Sequence, residues 1–244
     1  MSEKFINMRA LYFLLIILFV SVKSHADGLS IDHTRVIMSS TLHSTEIVIS
    51  NTSKYTWLVQ SRIVNSSGSA EKLTPSANFY ILPPIFKLPS GQSQTVRIIR
   101  RQPVEQHNQE TLQYIVFKSI PAIDKTFFEL NKVKQQLSVS LSLIIKLLSR
   151  PAELDVSWEK SVSLLSFTKN VHALTISNTS PYFLTLSRVF VNGTEIALEG
   201  KQRMITPFSK IILDKVITSP GDEIKWTIIN DQGGETRMMT CNLL

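Results

Sequence analysis

Residues Leu137 to Lys146 read Leu-Ser-Val-Ser-Leu-Ser-Leu-Ile-Ile-Lys, and the interpretation of the whole chain depends on this stretch. Apolar residues occupy every second position, and serines fill three of the positions between them. Because side chains on a β-strand point to opposite faces in turn, the pattern predicts a strand with one apolar face and one small, hydroxylated face, ending at a cation. Two interpretations are open. The apolar face is an ordinary core face of a β-sandwich, or it belongs to an edge strand that is offered to another protein.

Residues 1–26 have the pattern of a secretory signal peptide. Lys4 and Arg9 give a basic start, residues 10–22 form an apolar run, and Ser-His-Ala stands at the expected cleavage point. The apolar run is shorter than the about 20 residues that a membrane-spanning helix needs. We therefore expect cleavage after residue 26, no retained membrane anchor, and an exported mature chain.

Composition and motifs disfavour nucleic-acid binding and the common classes of enzyme. The net charge of +7 is scattered, and the one tight basic group, within residues 97–101, has no aromatic residues interleaved. The sequence lacks a Gly-x-Ser-x-Gly elbow, a phosphate-binding glycine loop, a His-Glu-x-x-His motif and a Cys-x-x-Cys motif. The histidines after residue 26 stand singly, so we expect no catalytic residues, no metal site and no cofactor. The lone Cys241 cannot form an internal disulfide, so the fold must rely on its hydrophobic core.

The first part of the expected mature chain predicts a series of β-strands. Runs of branched and aromatic residues alternate with turn motifs, up to the point where Pro151 interrupts the pattern. Seven runs in this series are typical of an immunoglobulin-like sandwich. The predicted strands are residues 31–38, 44–50, 57–64, 78–82, 93–100, 111–120 and 134–148.

A second, shorter series of predicted strands follows and includes residues 173–177, 184–191, 211–213 and 225–229. We therefore expect an all-β protein with two sandwich domains, spanning residues 27–150 and 151–244. Asn-x-Ser/Thr triplets also match glycosylation acceptors. We interpret them as turn residues because each lies at a predicted turn. The four positions are Asn51, Asn65, Asn178 and Asn192.

Eight motifs in order resemble the periplasmic pilus-assembly chaperones of the chaperone-usher pathway, the PapD-like family. The resemblance covers nearly all of the expected mature chain. Two departures stand out: Leu148-Ser149 replaces the family's Phe-Tyr, and Tyr114-Ile115-Val116 replaces its Trp-x-Asn. The motifs lie at residues 34–37 (Thr-Arg-Val-Ile), 49–53, 82–88, 91–98, 145–151, 178–183, 205–209 and 226–234.

The resemblance implies two immunoglobulin-like domains in an L shape and a chaperone that works in the periplasm without ATP. Such a chaperone binds, folds and caps fimbrial subunits by donor-strand complementation and delivers them to an outer-membrane usher. The resemblance also assigns roles to residues of this sequence. Arg35 and Lys146 would bind the subunit's C-terminal carboxylate; Leu137, Val139, Leu141 and Leu143 would enter the subunit's groove; Glu110, Arg150 and Asp231 would form the interdomain ion pairs.

A secreted structural or adhesive immunoglobulin-like module is the alternative interpretation. A pilus subunit would lack a strand of its own, whereas the two predicted strand series leave no such gap. An open donor edge would also allow the free chaperone to self-associate. Both interpretations predict an exported binding protein and not an enzyme.

Overall fold

The computed structural model describes residues 27–66, 73–103, 108–122, 140–170 and 172–243. Within these ranges the chain is built almost wholly from β-strands, with one short α-helix and two 3₁₀ turns. The all-β prediction is therefore confirmed. The expected signal peptide and two of the expected donor residues, Leu137 and Val139, lie outside the described ranges.

The first half of the chain forms two facing sheets around one core. In chain order its strands are β1 (Leu29–Ile31), β2 (Arg35–Ser39), β3 (Ser44–Asn51), β4 (Trp57–Ser66), β5 (Leu73–Pro75), β6 (Phe79–Leu82), β7 (Ile85–Leu88), β8 (Ser93–Arg100), β9 (Thr111–Pro121) and β10 (Leu141–Arg150). One sheet has the order β1-β3-β8-β6, and the other has the order β2-β10-β9-β4-β5 with β7 also paired to β4. Apolar side chains from both sheets interdigitate between them, as expected for a sandwich; Ile49, Val96, Phe117 and Leu147 are fully buried there.

The predicted strand at residues 31–38 was wrong in one respect, because the chain changes sheets in the middle of it. β1 pairs with β3 in one sheet, and β2 pairs with β10 in the other. Asp32 stabilises the crossing: its amide donates to the Val48 carbonyl (3.1 Å), and its carboxylate accepts from the Val48 amide (3.0 Å). The crossing brings Arg35, the first residue of β2, next to β10.

The second half of the chain is a smaller sandwich with its own core. Helix α1 (Trp158–Ser161) and the 3₁₀ turn Val162–Leu164 lead into it, and a second 3₁₀ turn covers Gly200–Arg203. The core includes Leu174, Leu184 and Trp226, and the Trp226 ring packs 4.7 Å from that of Phe167. The strands are β11 (Leu165–Asn170), β12 (Ala173–Asn178), β13 (Leu184–Val191), β14 (Thr194–Glu195), β15 (Met204–Ile205), β16 (Ser209–Asp214), β17 (Glu223–Ile228) and β18 (Met239–Asn242).

The two sheets of this second sandwich have the orders β11-β12-β16 and β14-β13-β17-β18, with β15 paired to β13. The sequence analysis did not predict β11 or β18, the first and last strands in chain order. Both carry exposed polar or charged side chains at alternate positions, and both lie at sheet edges, where a continuous apolar run is not required.

The same turn closes a strand in each half of the molecule. It has the sequence Asn-Thr-Ser-x-Tyr and begins at Asn51 in the first half and at Asn178 in the second. Asn51 Nδ2 donates to the carbonyls of Tyr55 (2.8 Å) and Leu88 (3.0 Å), and its Oδ1 accepts from the amide (2.9 Å) and hydroxyl (2.7 Å) of Ser53. Asn178 repeats these contacts with Tyr182 (2.7 Å), Thr206 (3.0 Å) and Ser180 (3.0 and 2.7 Å).

The structure therefore supports the turn interpretation for Asn51 and Asn178, whose side chains are buried and use both ends of the amide. Asn192 also lies in a turn, where it adopts a φ of 47° before Gly193. The interpretation was wrong for Asn65, which is an exposed residue within strand β4.

Replacing Asn178 with alanine should lower the free energy of unfolding by about 2 to 4 kcal/mol, because alanine leaves buried carbonyls and the Ser180 amide without partners. Urea unfolding of the mature protein, followed by tryptophan fluorescence, measures the change. The control is Asn65→Ala on the exposed face of β4, for which we expect a change within about 0.5 kcal/mol. Equal effects of the two substitutions would contradict the structural role of the turn.

Candidate functional site

Two cations lie side by side at the junction of the two halves. Strands β2 and β10 run parallel, and their ladder pairs Arg35 with Lys146. The ladder covers only the second half of β10, from Lys146 to Arg150. The predicted carboxylate-binding residues are therefore neighbours in the structure, although 110 positions separate them in the sequence.

The second half of the chain supplies a neutral oxygen to each cation. The Lys146 ammonium donates to the Thr185 hydroxyl (3.0 Å), and the Arg35 guanidinium donates through Nη1 to the Ile229 carbonyl (3.2 Å). Thr185 and Ile229 are themselves adjacent, because the Ile229 amide donates to the Thr185 carbonyl (2.8 Å). Neither residue was predicted from the sequence, because a single threonine and a backbone carbonyl match no sequence motif.

Burial and mutual repulsion make this cation pair electrostatically costly. Desolvation, and then the charge of Arg35, lower the pKa of Lys146 to about 8. Desolvation also lowers the pKa of Arg35, whose side chain is buried and whose Nε has no hydrogen-bond partner among the described residues. Donors left unused in a buried, positive environment favour an anionic ligand, and a carboxylate can accept from both cations.

The predicted interdomain ion pairs are also brought together, around Arg150. Its Nε donates to Glu110 Oε1 (2.6 Å), and its Nη1 and Nη2 donate to the two carboxylate oxygens of Asp231 (2.7 and 2.9 Å). The other oxygen of Glu110 accepts from the Phe183 amide (2.9 Å), and the guanidinium lies over the Tyr182 ring at 5.1 Å. Arg150 thus links a buried acid of the first half to the second half through charged hydrogen bonds.

The pKa shifts of this cluster have opposing causes. Desolvation raises the pKa of Glu110, and Arg150 opposes that rise. Burial lowers the pKa of Arg150, but its contacts with Asp231 and Glu110 outweigh burial and raise it above the ordinary value. Burial therefore dominates at Glu110, whereas the charged contacts together dominate at Arg150.

A close backbone approach lies beside the ion pairs. Gly233 has a φ of 88°, and a Cβ at this position would collide with the Thr34 hydroxyl. Only glycine adopts this backbone conformation without strain while leaving room for Thr34. The approach packs the loop after β17 against the start of β2, next to Arg35.

The apolar ridge, predicted at the alternate positions from Leu137 to Ile145, changes its environment along the part of β10 that the structure describes. Ile145 and Leu147 belong to the core, Leu143 packs against the edge of that core, and Leu141 is partly buried. On the opposite face Ile144 is 55% exposed. Strand β9 pairs with β10 from Leu141 onward, whereas β2 joins the ladder only at Lys146. Within the described residues, the segment 141–145 therefore has a paired edge and an open edge.

Two kinds of feature are absent from the residues that the structure describes. No helix there has the length and apolar character that a membrane crossing requires. No cluster of three or more His, Cys, Asp or Glu side chains there could hold a metal ion.

The fold and the site define a class of protein. Two immunoglobulin-like sandwiches meet at the buried Arg35 and the partly buried Lys146, and these cations adjoin a strand segment that has one edge unpaired among the described residues. Such a molecule can bind a protein partner through backbone hydrogen bonds, an apolar strip and a charged anchor. This arrangement is typical of proteins that bind other polypeptides.

Comparison with known proteins gives the family. The N-terminal domain of the PapD pili and flagellar-assembly chaperones matches residues 28–155, and the C-terminal domain of the PapD pili assembly chaperones matches residues 158–240. This protein belongs to the PapD family of pilus-assembly chaperones.

Relatives and solved structures agree with this assignment. The chaperone protein CssC of Escherichia coli is 28% identical over 218 residues, which cover 88% of this chain and 90% of CssC. The probable fimbrial chaperone LpfB of Escherichia coli O157:H7 is 29% identical over 229 residues, 93% of each chain. The SafB chaperone, solved in complex with the Salmonella enterica SafA pilin, superimposes with a TM-score of 0.75 at 26% identity, covering 90% of this chain and 98% of the other.

The pKa of Lys146 can be measured from the pH dependence of its 13Cε chemical shift. We expect a midpoint near 8 in the native protein and a higher midpoint in Arg35→Met, because the substitution removes a neighbouring positive charge. Between about pH 8 and 10.5 the unfolded chain holds a proton that the folded protein has lost, so this group makes stability rise with pH in that window. An unchanged midpoint in Arg35→Met would show that the two cations are not coupled.

Replacing Arg150 with methionine should lower the free energy of unfolding by about 3 to 5 kcal/mol, because the buried carboxylate of Glu110 is left without its cation. Adding Glu110→Gln to that variant removes the uncompensated charge and should recover part of the loss. Thermal unfolding of the two single variants and the double variant measures the coupling. If the loss of unfolding free energy in the double variant equals the sum of the losses in the two single variants, the charges of Glu110 and Arg150 are not coupled.

Proposed function

We propose that this protein is a periplasmic chaperone that holds a pilus subunit by completing the subunit's sheet and then delivers it to an outer-membrane usher. The half-paired state of β10 carries the proposal. Its residues 141–145 have β9 on one side and, within the described part of the chain, no strand on the other. An open edge of this kind is a template for adding a strand from a partner.

The ridge on this strand would supply most of the binding free energy. By alternation, Leu137, Val139, Leu141 and Leu143 share one face, and we propose that they enter a groove of the subunit. Burying one aliphatic side chain is worth roughly 1.5 to 3 kcal/mol, so four give on the order of 6 to 12 kcal/mol before ordering costs. Leu143 is already packed against the core of its own domain, so it would contribute less binding free energy than the other three residues.

The cation pair would set the register of the bound strand. We propose that Arg35 and Lys146 bind the C-terminal carboxylate of the subunit. An exposed ion pair contributes only about 0 to 1 kcal/mol, whereas a desolvated carboxylate without its cation costs several kcal/mol. A subunit shifted along β10 would leave its carboxylate unpaired, and a shift of one residue would turn every side chain to the wrong face.

The ion pairs of Arg150 would keep this anchor assembled. Both neutral acceptors, Thr185 and Ile229, come from the second half of the chain, so their positions depend on how the two halves are docked. We propose that Glu110, Arg150 and Asp231 fix that docking. Since the sequence has no phosphate-binding loop, the work would be driven by subunit folding and not by nucleotide hydrolysis.

The proposal is tested by co-expressing a tagged pilus subunit with Arg35→Ala, Lys146→Ala or Leu141→Glu and measuring the periplasmic complex recovered on the tag. The two alanine variants should recover less than a tenth of the native amount, because an unpaired buried carboxylate costs at least about 1.4 kcal/mol. Leu141→Glu should recover none while remaining folded, because a charge enters the apolar groove.

The matched control is Lys160→Ala, which removes an exposed cation from helix α1 and should leave recovery unchanged. Circular dichroism and the unfolding midpoint of each free variant separate loss of binding from loss of fold. Native recovery with both Arg35→Ala and Lys146→Ala would overturn the anchor. Native recovery with Leu141→Glu would show that the ridge is an ordinary core face and not a binding surface.

A further inference from the structure

Strand β16 of the second sandwich has an open edge of its own. It is the last strand in the order β11-β12-β16, and its six residues pair with β12 along their whole length. Within the described residues, no strand or backbone hydrogen bond occupies its other side. This edge belongs to the second half of the chain, whereas the proposed donor strand belongs to the first.

The side chains of β16 divide into an inner and an outer face. Leu213 is buried in the core and Ile211 packs against it, whereas Lys210, Ile212 and Asp214 are exposed on the outer face. Ile212 is 47% exposed and stands midway between the two charged residues. None of the ion pairs among the described residues involves Lys210 or Asp214.

An apolar side chain also stands exposed at the start of this strand. Phe208, immediately before β16, is 56% exposed and adopts a φ of 50°, which is uncommon for an aromatic residue. Phe208 and Lys210 line one shallow cavity on the outer face with Ser177 and Thr179. The outer face therefore offers apolar surface at two points along the open edge.

The spacing of the charges makes the edge complementary to itself. Residues directly opposite each other in an antiparallel pair share a face, so a twofold axis through Ile212 sets it against Ile212 of the partner subunit. The same axis sets Lys210 opposite Asp214 of the partner subunit. By symmetry it also sets Asp214 opposite Lys210 of the partner subunit, so two opposite-charge pairs form. Opposite charges that face each other across strands stabilise the pair, whereas like charges destabilise it.

The other edge of the same sheet lacks this property. Strand β11 has one charged residue, Lys169, and no acid. A twofold axis through the middle of β11 would leave both lysines without a carboxylate. Charges on edge strands usually prevent pairing, but at β16 two charges of opposite sign lie symmetrically about an exposed isoleucine.

We propose that two copies of this protein associate through β16, in antiparallel pairing about Ile212, to form one continuous six-stranded sheet. The contact uses neither β10 nor the cations Arg35 and Lys146, so it is independent of subunit binding. A contact based on six residues per copy is smaller than the about 1,200 Å² typical of stable interfaces. The dimer is therefore weak and depends on protein concentration.

Sedimentation equilibrium of the mature protein over a range of concentrations tests the proposal. Lys210→Asp and Asp214→Lys should each weaken dimerisation about tenfold, because each turns two attractive pairs into two repulsive pairs. The double variant Lys210→Asp/Asp214→Lys exchanges the charges and should restore the native dimerisation constant. Restoration by a swap cannot come from a general change in net charge, because the double variant has the native net charge and each single variant does not.

The matched control is Lys169→Asp on β11, which changes the net charge as Lys210→Asp does and should leave dimerisation unchanged. A native protein that stays monomeric at all concentrations would overturn the proposal. A double variant that dimerises as weakly as the single variants would also overturn it. A native dimer that Leu141→Glu abolishes and the β16 variants do not affect would overturn it too, because that dimer would form through β10. Subunit recovery with Asp214→Lys should stay native, which separates this proposal from the proposed function.

Discussion

The short parallel ladder between β2 and β10 is the constraint on which the rest of the site depends. It joins only five residues of each strand, Arg35–Ser39 of β2 and Lys146–Arg150 of β10. Because the ladder begins at Lys146, one half of β10 has a strand on both sides, and the other half has one edge unpaired among the described residues. The same ladder places Arg35 and Lys146 opposite each other on neighbouring strands. We propose that a strand already paired within a sheet would present its apolar ridge without first having to be ordered, which would lower the entropic cost of binding.

The buried Arg35 and the partly buried Lys146 lie at one position of the ladder, and the groups around them are neutral oxygens or acids already paired with Arg150. The second sandwich gives them a hydroxyl and a carbonyl, which stabilise a cation without neutralising it. The nearby acids, Glu110 and Asp231, are engaged by Arg150. Arg150 thus forms an ion pair with an acid from each half of the chain, and under the proposed function this would keep both carboxylates away from Arg35 and Lys146. Desolvation, and then the charge of Arg35, lower the pKa of Lys146.

Several features could be predicted from the sequence because the information is local. The alternation of residues 137–145 predicts the apolar ridge, and the turn residues that begin at Asn51 and Asn178 predict two turns, in which both side-chain amides form hydrogen bonds. The ion pairs of Arg150, 40 and 81 positions apart in sequence, were found through resemblance and not through pattern. The failures are also local: Asn65 looked like a turn residue but extends β4, and the run at residues 31–38 concealed a crossing between sheets.

The sequence by itself determined an all-β chain in two strand series, the family, and the candidate residues of the anchor and the ridge. Period-two alternation, turn residues and ordered motifs are properties of neighbours along the chain, so they can be read without coordinates. Only the tertiary structure decided that Thr185 and Ile229 bind the cations, where the ladder of β2 ends along β10, and that β16 is an edge strand among the described residues. Those features depend on register between distant strands, which is set by packing of the whole core and not by any one segment.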